Sequence, residues 1–128
     1  MEPLFLTLEE VLEIHRDEIE RHGGTLGVRE NGLLESAVAT PQSGFGGHYL
    51  QGDLYEMAAA YLFHLVQNHP FLDGNKRVGA ATALVFLTMN GVETRMTNQM
   101  LVDMVLAVAK GKMDKPAIAD FFRMHSRS

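Results

Sequence analysis

From Met57 to Val66 the chain is apolar at every position but His64, and a second apolar segment runs from Val78 to Met89. A helix with no polar face has nothing to offer water, so it belongs at the centre of a fold. Each segment is too short to span a bilayer. Two such segments predict two central helices packed on each other. What separates them is opposite in character: His69-Pro70-Phe71-Leu72-Asp73-Gly74-Asn75-Lys76-Arg77. An imidazole, a carboxylate, an amide and two cations set between buried segments are costly unless they are paired or used.

The flanking chain reads as further helices. Thr7 with Glu10 three residues on makes a capping box, and Leu8, Val11, Leu12, His15 and Ile19 then share one helical face. Gly23-Gly24 supplies the stop, so the first helix is predicted over about Leu8 to His22. Glu30 or Asn31 opens a short helix carrying Leu33, Leu34, Ala37 and Val38. Pro41 is expected to end it by pushing the residue before it out of the helical region. Asp53, with Glu56 at N3, caps the first central helix, which ends at Asn68, His69 and Pro70. The second central helix begins near Gly74 or Asn75 and ends at Asn90-Gly91. Thr97 or Asn98 caps a fifth helix with Met100, Leu101, Met104, Val105 and Val108 on its buried stripe. Gly111 ends it, and Asp114 with Pro116 starts a sixth carrying Ile118, Phe121 and Phe122. Strand is expected only in short pieces, near Leu50 and over Val92 to Thr94. The expectation is an all-α fold of six helices in a single domain, residues 1–128.

Pro41 to Gly52 holds four glycines, which rule out a long helix. It reads either as a surface connection or as a small hairpin flap that pairs with a partner peptide by its edge.

Charge and composition narrow the function. The net charge is −5 and the pI about 5.6, which lacks the basic footprint of a nucleic-acid binder. There is no cysteine, hence no thiol nucleophile and no disulfide framework. The N-terminus has no basic and apolar leader pattern, so a cytoplasmic protein without membrane attachment is expected. His64 and His69, five apart, do not share a helical face and make a poor zinc pair. The methionines at 57, 89, 96, 100 and 104 read as adaptable packing.

The nine-residue run carries the chemistry. Pro70 ends one helix and the next starts within about five residues. The N-terminus of that next helix offers the backbone amides of Gly74, Asn75, Lys76 and Arg77 and a positive dipole end, a ready phosphate site. Arg77 adds a bidentate grip and Lys76 a point charge. Asp73 is a hard oxygen ligand for magnesium, which commonly takes one carboxylate plus substrate phosphates. An imidazole accepts protons near neutral pH, so His69 reads as a general base for a hydroxyl. The same residues also read as an ordinary Asp-Gly-Asn turn between helices, with His69 a core histidine.

The run resembles the signature of the Fic/Doc family, HPFx(D/E)GN(G/K)R. Gly23-Gly24, the stretch from Gly27 to Ala37 and Phe45-Gly46-Gly47 resemble its Doc (death-on-curing) branch. The resemblance implies a nucleotide-using transferase acting on a protein hydroxyl. It implies His69 as general base, Asp73 as magnesium ligand, Gly74, Asn75, Lys76 and Arg77 as ATP phosphate contacts, and Gly44 to Leu50 as a flap for the target segment. AMP-transferring members carry glycine at the position of Lys76 and a second arginine at that of Ala80. The Doc branch shares the lysine, and there the resemblance implies transfer of the γ-phosphoryl group of ATP to a threonine of elongation factor Tu, which arrests translation. The pattern (S/T)xxxE(G/N) of a self-inhibitory helix is absent, since Leu26 stands four residues before Glu30-Asn31. The resemblance therefore implies silencing in trans by an antitoxin of the Phd type. The alternatives are an AMP-transferring enzyme and a non-catalytic binding module.

Overall fold

The computed structural model describes residues 2–127. Six helices carry the fold: α1 (Leu8–His22), α2 (Asn31–Ala39), α3 (Leu54–Asn68), α4 (Asn75–Met89), α5 (Asn98–Ala109) and α6 (Lys115–Met124). Four two-residue strands form two antiparallel pairs, β1 (Gly44–Phe45) with β2 (His48–Tyr49) and β3 (Glu93–Thr94) with β4 (Ser126–Arg127). The all-α expectation holds, and β4 is an addition that no sequence signal announced.

The helix starts follow the sequence chemistry. Thr7 and Glu10 form the reciprocal capping box of α1. Asp53, Thr97 and Asp114 cap α3, α5 and α6 through their side chains, and Glu30 caps α2 by accepting from the Gly32 N–H. The end of α2 departs from expectation. Thr40, which precedes Pro41, keeps helical angles (φ −56°, ψ −42°), and the chain tightens into a 3-10 turn over Thr40–Gln42. Its hydroxyl donates to Ser36 O at 2.7 Å. A proline near the start of a 3-10 turn forfeits no ladder bond, so it is tolerated there.

As predicted, α3 and α4 are the centre. α2 and α6 pack on α3, α1 packs on α4, and α5 touches both. The largest buried side chains include Tyr61, Phe71, Phe86 and Phe122. The central pair approaches closely at Gly79, where an added Cβ would lie 2.8 Å from Val66 Cγ2 and 3.3 Å from Leu62 O.

The glycine-rich stretch is a hairpin. Gly46 and Gly47 take φ of 57° and 83°, the left-handed pair that a tight two-residue turn requires. Phe45 at its tip is 88% exposed. Tyr49 anchors it, with its ring 5.4 Å from Phe5 and its hydroxyl donating to Glu2.

Candidate functional site

The loop between α3 and α4 is short because Pro70 cannot continue a helix. His69 caps the end of α3 with φ 48° and ψ 54°, and it alone among non-glycine described residues has a positive φ. That conformation costs an L-residue about 1–2 kcal/mol and marks places where function is worth strain. The imidazole is exposed.

The loop backbone is held from several sides. Gly27 to Glu30 runs antiparallel to it: Leu72 N–H donates to Gly27 O at 3.0 Å, Val28 bridges Phe71, and the N–H groups of Arg29 and Glu30 both donate to Pro70 O. The Arg29 guanidinium donates to His69 O at 2.7 Å and to Asn68 O at 2.9 Å, a cation at the negative end of α3. From the other side the Asn75 side chain accepts from Phe71 N–H and donates to Phe71 O. Phe71 is buried, and the buried imidazole of His15 stacks on it at 3.7 Å between centroids. His15 Nε2–H donates to Asp73 O at 2.8 Å. Burial holds the His15 pKa below its ordinary value, in keeping with a neutral donor.

Asp73 is exposed, with its carboxylate oriented by main-chain donors: Thr25 N–H to Oδ2 at 3.2 Å and Gly74 N–H to Oδ1 at 2.8 Å. These bonds, with a contribution from the Arg77 charge, push its pKa below the usual carboxylate value. The carboxylate is thus kept ionised. Gly24 makes room for this group. With φ 117°, a Cβ there would come within 2.7 Å of Asp73 Oδ2 and 3.2 Å of Arg77 Nη2. So the second glycine after α1 does more than stop a helix: it lets the carboxylate and the guanidinium stand at the chain.

The start of α4 differs from the other five helix starts. Gly74 is its N-cap, in the left-handed region, and no side chain caps it. The Gly74 N–H, expected to be open, is taken by the adjacent Asp73 carboxylate. Asn75 spends its side-chain amide on Phe71. The first-turn amides of Asn75, Lys76 and Arg77 remain as donors facing outward from the helix end. Arg77 is half-buried and Lys76 exposed. Both line one end of a groove of about 540 Å³ between α1, α4 and α5, whose wall includes Ala80, Leu84, Leu101 and Val105.

An ionised carboxylate, two cations and a row of amides suit a polyphosphate. Asp73 fits magnesium as a single protein ligand. Among the described residues no group of three or more potential ligands surrounds it, so phosphate oxygens and water would fill the other positions. The candidate residues fall together, since His69, Asp73, Gly74, Asn75, Lys76 and Arg77 all lie on this loop and the first turn of α4. His15, Arg29 and Gly24 were missed as parts of the site. An imidazole in the apolar stripe of α1 was the sequence signal for His15. Arg29 and Gly24 lie in segments that resemble the Doc branch but gave no sign of a role at the site, because their partners there lie 39 to 53 residues away in sequence. Among the described residues, the hairpin's Tyr49 reaches the N-terminal segment, with its ring on Phe5 and its hydroxyl on Glu2. No described helix is long and apolar enough to cross a membrane.

Comparison with known proteins places the sequence among relatives. The family model described as "Fic/DOC family" matches residues 5–87. "Protein kinase doc" of Escherichia phage P1 is 32% identical over 115 residues, 90% of each chain. "Toxin Doc" of Mycolicibacterium smegmatis is 48% identical over 71 residues, 56% of this chain and 55% of that one.

Proposed function

The chain belongs to the Fic/DOC family, and from that premise we propose that it is a Doc-like toxin that transfers the γ-phosphoryl group of ATP to a serine or threonine of a protein target. The observation that carries this reading is the uncapped start of α4, where the amides of Asn75, Lys76 and Arg77 stand beside an ionised aspartate and follow an exposed histidine. The phosphates of ATP lie against those amides, with Arg77 and Lys76 balancing their charge. Asp73 would hold a magnesium ion, which would supply neutralisation of charge on the leaving group.

His69 takes the proton of the target hydroxyl. The hydroxyl oxygen bonds to the γ-phosphorus as the bond to the β–γ bridging oxygen breaks, and ADP leaves. Positioning and charge neutralisation do most of this work, which suits a site held as rigidly as this loop. Lys76 favours phosphoryl over AMP transfer, because its side chain occupies the position that AMP-transferring members leave to glycine. Ala80 adds to that preference by presenting a methyl group to the groove where those members place a second arginine.

The target proposed is elongation factor Tu, and the regulator an antitoxin of the Phd type. The printed names of two relatives, a toxin and a protein kinase, support the toxin and kinase parts of the proposal. The test is intact-mass analysis of elongation factor Tu after incubation with the protein, ATP and magnesium. A phosphate adduct that disappears with His69→Ala is expected. An AMP adduct, several-fold heavier, would replace kinase by AMP transferase. Toxicity unchanged by His69→Ala would leave only a binding module.

A further inference from the structure

His69 holds a backbone conformation that non-glycine residues avoid, so something must keep it there. Pro70 fixes its own φ and favours an extended ψ at His69, so it does not itself hold the observed 54°. The carbonyl of His69 is the atom that reports that angle, and Arg29 Nε–H donates to it at 2.7 Å. The same guanidinium donates through Nη2 to Asn68 O at 2.9 Å. The Arg29 main-chain N–H donates to the next carbonyl along, Pro70 O, at 2.7 Å. One residue therefore engages three consecutive carbonyls across the turn in which His69 sits. Its guanidinium fork spans two of them, a geometry that a single ammonium cannot reproduce.

We propose that Arg29 is a positioning residue for the transfer step: it holds the end of α3 and the His69 peptide so that the imidazole projects from the loop toward the reacting hydroxyl. This rests on His69 being the base. Arg29 touches neither nucleotide phosphate nor target in this account; it acts through the backbone of His69. The effect belongs to kcat and not to nucleotide affinity, because Asp73 and the loop leading into α4 are held by other contacts, those of Asn75, His15, Thr25 and Gly74.

The experiment compares Arg29→Ala, Arg29→Lys and His69→Ala in the phosphoryl-transfer assay, with melting curves alongside. Arg29→Ala is expected to lower kcat on the order of 10- to 100-fold, while KM for ATP shifts less than about threefold. Arg29→Lys should fall between the two, since an ammonium can serve only one carbonyl at a time. Millimolar guanidinium added to Arg29→Ala should restore part of the lost kcat, and methylammonium should not. If Arg29→Ala melts below the assay temperature, Arg29→Lys and backbone NMR decide. A folded lysine variant with lowered kcat and a His69 that spends time at negative φ supports the proposal, and wild-type kcat in that variant overturns it. Wild-type kcat in folded Arg29→Ala, with His69→Ala inactive, also overturns the positioning role and leaves the kinase reading standing. A fully active His69→Ala overturns the kinase reading itself. A loss of kcat that guanidinium does not touch, accompanied by an equal loss of ATP binding, would assign Arg29 to general stability of the loop.

Discussion

At position 82 a threonine hydroxyl is fully buried on α4 with no hydrogen-bond partner, whereas at position 61 a tyrosine hydroxyl, equally buried, accepts from Leu6 N–H at 3.0 Å. Burial pushes the Tyr61 pKa up to about 12, so it stays a neutral phenol. The two hydroxyls should respond oppositely to removal. Thr82→Val deletes an unpaired polar atom and keeps the shape, and is expected to raise stability by up to about 1 kcal/mol. Tyr61→Phe leaves the Leu6 N–H without a partner and is expected to lower it by about 1–3 kcal/mol. Urea titration of both variants checks the signs. At the site, Asp73→Ala should weaken magnesium-dependent ATP binding by on the order of tenfold. Calorimetry with and without magnesium reads this directly; equal affinities in wild type and variant would remove Asp73 from metal binding.

Among the elements, the central pair α3 and α4 is set by what Gly79 lacks. A Cβ there meets Val66 Cγ2 at 2.8 Å and the main-chain Leu62 O at 3.3 Å. Val66 is β-branched and stiff, and a backbone oxygen cannot swing aside. Gly79→Val is therefore expected to cost about 1–3 kcal/mol by overpacking, and thermal melting measures it. Because the loop from His69 to Gly74 is strung between these two helices, the same variant should also lower transferase activity as the helices part. The contrast with the helix caps is instructive. Thr7 with Glu10, Asp53, Thr97 and Asp114 sit at the starts that local chemistry predicts. Their partners are three residues away, so sequence spacing alone brings them together. Pro41 fell outside that logic, since a 3-10 turn accommodated it without moving Thr40 from helical angles.

For the molecule as a whole, pH acts through imidazoles that burial holds in the neutral form. Burial, and then the charge of Lys115 with its Nζ 3.2 Å from His64 Nε2, lowers the His64 pKa below 6.5. The unfolded chain thus binds a proton there before the folded one does. The stabilisation is complete above about pH 6.5 and is lost as pH falls from there toward the folded-state value. His64→Gln removes the titration, so its unfolding free energy should decline less than that of the wild type between pH 7.5 and pH 5, as read by urea titration across that range. A variant as pH-sensitive as the wild type would place the acid sensitivity elsewhere.

Local order was legible in the sequence: six helices, their starts, the central position of α3 and α4, and the clustering of His69, Asp73, Gly74, Asn75, Lys76 and Arg77. Apolar periodicity and capping operate over a few residues, and these site residues are neighbours along the chain. What each site group is free to do was decided only by the tertiary structure. The Gly74 N–H went to Asp73, the Asn75 amide to Phe71, the His15 ring to Phe71 and Asp73, and the Arg29 fork to the end of α3. Most of these contacts join segments far apart in sequence, and a donor's availability depends on every acceptor that folding brings within reach. The sequence alone determined which residues would stand at the junction of the two central helices. Only the packing of α1 and of the Gly27–Glu30 segment against that junction decided that His69 is held in a left-handed turn and that the amides of Asn75, Lys76 and Arg77 stay open.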